Sequence, residues 1–159
     1  MDVAQVIAIF IHTLALVIAW GYYGILGRII APALERTLAQ PQRAATLAAI
    51  ERRALPLVIA SVVLLIVTGA YLLVIDPHYA GLGNLFATTW TTLLLVKHVL
   101  VIGLVGLGVG VDILIREAAA ATTDRARDSA TGLALLAADG ATALGALIVL
   151  LTVIAQLSS

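Results

Sequence analysis

The 159-residue sequence contains no cysteine, and its one methionine is Met1. The lack of cysteine excludes disulfides and thiolate metal sites. With no internal methionine either, a path for soft Cu(I) lacks the sulfur ligands that ion prefers. Charge is scarce as well. Only 11% of residues are Asp, Glu, Lys or Arg, nine basic and nine acidic, and the formal net charge is zero. Such a chain offers no electrostatic footprint for nucleic acid, and no nucleic-acid partner is expected. The opening stretch MDVAQVIAIF has no basic segment ahead of its apolar run, so a retained helix is expected there rather than a cleaved signal peptide. No nucleophile–base arrangement, phosphate loop or carboxylate pair names a reaction.

What the chain has in quantity is apolar surface. Hydrophobic residues make up 62% of it and the mean hydropathy is +1.13. A soluble domain carries about 45–50% apolar and about 25% charged residues. No soluble core of this size hides so much apolar surface, so the expected solvent is lipid. About 20 apolar residues cross the hydrocarbon as a helix, and four segments qualify, at about 3–30, 55–75, 90–115 and 131–157. Pro56 suits the first turn of the second, where its missing N–H costs nothing, and Pro77 helps to stop it. The stretch PALERTLAQPQRAATLAAIERR is expected to extend the first helix, break near Pro41 and resume as a helical lead into the second.

Arg28, Arg36, Arg43, Arg52 and Arg53 lie at or between the first two spans, and Arg116, Arg125 and Arg127 follow the third. The loop IDPHYAGLGNLFATT has neither Lys nor Arg. The positive-inside rule then puts both termini on the outer side. The expected fold is all-α: one integral membrane four-helix bundle over 1–159, in the inner (plasma) membrane. Trp90 and Tyr79 are expected as interfacial anchors. There is no internal repeat, no low-complexity linker and no room for a second domain.

Within this apolar frame the ionisable residues are the functional candidates. His12 and His98 sit on the first and third spans, which run in the same direction. Each lies roughly 12–14 Å below the same face at about 1.5 Å rise per residue. Two imidazoles at one depth on two helices of a bundle can clasp a planar macrocycle, each giving one nitrogen to iron. The plainer reading is that each His hydrogen-bonds a backbone carbonyl or a neighbouring Ser or Thr. Ala8, Ala15 and Ala19 share the His12 face and are expected to leave space beside the ring. Gly106, among Gly103, Gly106, Gly108 and Gly110, is best placed to thin the wall below His98. Gly106 and Gly110 also form a G-x-x-x-G pair that permits close helix packing, including between copies of the chain.

Lys97 lies about 100° around the helix from His98. It can snorkel toward the outer surface, pair with a haem propionate or, if neutral, ligate iron. Asp139, in the inner half of the fourth span, is expected to pair with an inner arginine such as Arg28, with carrying a proton as the alternative. Trp20, Tyr22 and Tyr23 are at a similar level and are candidate hydrogen-bond partners for it. His78, beside Asp76 and Tyr79, reads first as a solvated loop residue and second as part of an entrance.

Three runs carry a family resemblance. FIHTLALVIAWGYYG, with His12, Trp20 and Gly21, resembles the first helix of bacterial copper-resistance D-type membrane domains. ERRALPLVIASVVLLIVTGAYLL resembles their charged lead into a helix ending in Thr-Gly, here Thr68 and Gly69. WTTLLLVKHVLVIGLVGLGVGV carries a lysine near the start of an apolar helix, here Lys97. The pattern is also similar to the oxygen-independent bacterial membrane protoporphyrinogen oxidases. The resemblance covers most of the first three spans. It implies haem b, His12 as a ligand and Lys97 as its partner, and an oxidoreductase activity that rests on the resemblance alone. His98 belongs to neither family pattern and stands as a second ligand in place of Lys97.

The leading expectation is a haem b-binding membrane electron-transfer protein with axial His12 and His98, exchanging electrons with a quinone or a redox protein. One alternative is a copper or other metal-ion transport protein using His12, His98 and His78. Another is a non-catalytic subunit of a membrane complex.

Overall fold

The computed structural model describes residues 2–76 and 88–157. Among these every regular element is a helix: α1 Val3–Ile25, a π-helical turn Leu26–Ile30, α2 Ala31–Thr37, α3 Gln40–Ile75, α4 Thr89–Ala120 and α5 Asp124–Leu157. The π turn joins α1 to α2 without interruption. The result is four helices long and apolar enough to cross a membrane.

Short-range chemistry fixes the helix ends. Asp2 caps α1 by accepting from the Gln5 N–H at 2.7 Å, which satisfies one of the orphan donors of the first turn. Thr88 and Thr91 form a reciprocal capping box at the start of α4. Arg127 ties the α4–α5 turn by donating to Asp124 and to the Ala121 carbonyl, each at 2.6 Å. The break between α2 and α3 falls at Leu38 and Ala39, and Pro41 lies in the first turn of α3.

Two boundary expectations change. Pro56 lies in the interior of α3 rather than in a first turn, so α3 runs on through a position with no backbone donor. The helix on both sides of the break near Pro41 is as expected, whereas α4 and α5 also extend beyond the apolar segments at 90–115 and 131–157. Hydropathy marks where lipid begins and ends, whereas the Ala-rich flanks remain good helix formers in water. Pro77, His78 and Tyr79 lie outside the described residues; Trp90 is half-buried in the first turn of α4.

Neighbouring helices run antiparallel. His12 meets Thr68 and Tyr22 meets Glu51 between α1 and α3. Trp20 meets Thr142 between α1 and α5. Gly103 faces Leu144, and Gly140 faces Leu107, between α4 and α5. Each of α1 and α4 packs mainly on α3 and α5, so α1 and α4 stand diagonally across the bundle.

The core sits toward the arginine-bearing end, around Tyr23, Leu26, Leu47, Val111, Ile115 and Ala138. Its glycines set how closely the helices approach. Tyr23 lies against Gly108 and the Trp20 indole against Gly145, where a Cβ would collide with the ring. Large apolar side chains such as Phe10, Ile66, Ile102 and Leu136 point outward. That much exposed apolar surface suits a hydrocarbon solvent.

Candidate cofactor site

His12 is half-buried between α1 and α3. Its Nδ1 lies 2.9 Å from Thr68 Oγ1. The Thr68 hydroxyl spends its own proton on the Leu64 carbonyl at 2.5 Å. Its oxygen therefore accepts from His12, which puts the imidazole proton on Nδ1 and leaves Nε2 as a bare lone pair. Gly69 makes room for this ring: a Cβ there would stand 3.2 Å from His12 Cε1.

His98 is exposed on α4, and its Nδ1 lies 2.7 Å from the Leu94 carbonyl oxygen. A carbonyl can only accept, so Nδ1 carries the proton here too. Both imidazoles thus hold the tautomer that presents Nε2 as a ligand, oriented by an oxygen behind it.

Lys97 is half-buried. It lies one heptad before buried Leu104 and two before Val111, so it continues the core stripe of α4, and His98 lies on the exposed flank beside that stripe. The Tyr23–Gly108 contact sets the register of the diagonal pair. Counting back from it at about 1.5 Å per residue puts His12 and His98 within about one helical turn of the same level.

The expected space beside His12 is not where the alanines are. Ala8, Ala15 and Ala19 are buried against neighbouring helices and serve close packing. An added Cβ at Gly106 meets nothing within 4 Å, so Gly106 thins no wall toward another described side chain.

Asp139 pairs with Arg28, Nε to Oδ1 at 3.3 Å, as the charges required. The aromatic residues at that level are engaged elsewhere. Trp20 donates to the Thr142 carbonyl at 2.7 Å, and Tyr22 donates to Glu51. The rings of Tyr22 and Tyr23 meet edge-to-face with centroids 5.3 Å apart.

Thr68 and Glu51 are the two residues whose roles sequence reasoning missed. Thr68 stood out only through the Thr-Gly motif, with no hint that it orients His12. Glu51 stood out only as part of the charged helical lead into the second span, yet it is only 3% exposed. Among the described residues no three His, Cys, Asp or Glu side chains group to hold a metal ion. Comparison of the chain with known protein families, with curated proteins and with solved structures gave no match.

Proposed function

We propose that this chain is a membrane redox protein that holds b-type haem near the terminal end of its bundle, with His12 and His98 as axial ligands. The observation that carries this reading is the matched tautomer: two imidazoles on diagonal helices within about one helical turn of the same level, each with Nδ1–H tied to an oxygen and Nε2 left as a lone pair. The donor set fits iron porphyrin, which takes neutral imidazole on both faces. Lys97, on the inward stripe of α4, supplies the cation for a propionate and is the competing second ligand. When bound, haem would supply one-electron redox chemistry, with a lipid quinone or a redox protein as partner. In this reading Thr68 and the Leu94 carbonyl hold the two rings in their ligand tautomers. The bundle covers His12 in part, and His98 stands on its exposed flank.

The same reading places the protein in the plasma membrane with the arginine end inside and both termini outside. Gly106 and Gly110, open on α4, supply a contact between copies.

The absorption spectrum of protein extracted in mild detergent tests it. A Soret band should be present or form on adding haem, and His12→Ala and His98→Ala should each weaken it. If His98→Ala leaves the spectrum intact while Lys97→Ala changes it, Lys97 is the second ligand. Protein that stays colourless after reconstitution ends the proposal.

One observation favours a second reading. The Thr68 bond and the Gly69 cradle already satisfy and seat His12, as a purely structural residue in a non-catalytic subunit requires. That reading expects both His variants to leave spectra and metal content unchanged. Metal-ion transport would need His78 as its third imidazole, and His78 lies outside the described residues.

A further inference from the structure

On the opposite side of the first span from these questions lies an open groove of about 330 Å3 between α1 and α5. Trp20, Gly21, Gly24 and Ile25 line it with Thr142, and Arg28 stands at its arginine-end mouth. The groove exists because side chains are missing. A Cβ on Gly21 would meet nothing within 4 Å, and one on Gly24 would only touch Thr142. Trp20 forms a fixed wall, held by its bond to the Thr142 carbonyl. The mouth falls in the π turn, where the Ala31 N–H reaches back to the Leu26 carbonyl. Such turns recur at functional sites.

The polar group at the mouth is only partly satisfied. Arg28 and Asp139 share one contact, and their side chains are 67% and 52% exposed. Among the described residues neither makes another hydrogen bond, so the terminal guanidinium nitrogens and the second carboxylate oxygen are unspent. Arg28 lies about 38 Å of helix from Val3, while the hydrocarbon is about 30 Å thick. The ion pair therefore reaches headgroup depth, and the groove runs from it toward mid-membrane.

We propose that this groove binds one phospholipid with a primary-amine zwitterionic headgroup, of the phosphatidylethanolamine type. Its phosphate accepts from Arg28, its ammonium donates to Asp139, and an acyl chain lies along Gly21 and Gly24 against Trp20. The paired charges select this headgroup. A purely anionic lipid satisfies Arg28 and repels Asp139, and a quaternary ammonium has no N–H to donate.

Native mass spectrometry of delipidated protein, titrated in mixed micelles with phosphatidylethanolamine, phosphatidylglycerol or phosphatidylcholine, tests this. The expected result is a one-to-one phosphatidylethanolamine adduct at least tenfold tighter than either of the others. Gly21→Leu should fill the groove and weaken that adduct at least tenfold, with helical circular dichroism and thermal midpoint unchanged. Asp139→Asn should erase the preference over phosphatidylglycerol. Equal binding of the three lipids, or wild-type binding by Gly21→Leu, overturns the proposal. So does a wild-type dimer that Gly21→Leu splits, since the groove would then belong to a second copy of the chain.

Discussion

At the scale of single residues, the polar side chains of this bundle divide by what their partner leaves over. Thr68 consumes its own proton on a carbonyl and gives His12 a defined tautomer. Thr68→Val keeps the shape and removes the acceptor. Under the haem reading it should lower haem affinity about 10–100-fold, measured by titration at the Soret maximum, while Thr68→Ser stays near wild type. Equal affinity in all three proteins would show that Thr68 does not orient the ligand. Tyr22 has the opposite task, because it donates to a carboxylate that is almost wholly buried. Tyr22→Phe strands Glu51 and should cost about 1–3 kcal/mol, seen as a lower thermal midpoint in detergent. An unchanged midpoint would mean that another donor takes over Glu51. His12 and Lys97 are legible as candidates from sequence, because charge in an apolar run is conspicuous. Thr68 is not, because a hydroxyl is unremarkable until the facing helix is known.

At the scale of elements, the existence and order of the four helices follow from hydropathy alone, and their ends do not. The second apolar segment starts near Leu55, while α3 begins at Gln40. Glu51 falls in the helical lead expected from the sequence, but nothing in the sequence tells that this lead turns Glu51 to the inward face, where it is buried. The π turn has no sequence signature, since its five residues read as ordinary helix. Glycine positions, in contrast, acquire distinct meanings once the pairing is known. Gly145 lies against the Trp20 indole, and Gly110 faces open space. Gly145→Ala should push α5 from α1 or rotate Trp20 off the Thr142 carbonyl, costing about 1–3 kcal/mol as overpacking does. The tryptophan emission should shift with it. Gly110→Ala should change neither the emission nor the midpoint; if both variants behave alike, α1 and α5 do not pack as described.

At the scale of the whole molecule, one asymmetry organises the rest. Eight of the nine basic residues fall toward the end where α2 meets α3 and α4 meets α5, and only Lys97 lies toward the other. The helices are longer than the hydrocarbon, since α3 alone spans about 54 Å against about 30 Å of lipid core. The surplus is at the arginine end, where Arg43 bridges Glu35 and Asp128 across three helices. Under the proposed orientation the positive-inside rule puts that end in the compartment where positive charge is retained. The absence of cysteine makes the orientation directly measurable, because any introduced thiol is the only one present. A thiol at Thr122→Cys, in the α4–α5 turn, should react with a membrane-impermeant maleimide only after the cells are opened. One at Asn84→Cys, between the second and third spans in sequence, should react in intact cells. The reversed pattern would invert the bundle, moving the histidine pair to the inner face and the Arg28–Asp139 pair to the outer leaflet. Labelling of both positions in intact cells would mean that the segments between them do not span the membrane as two helices.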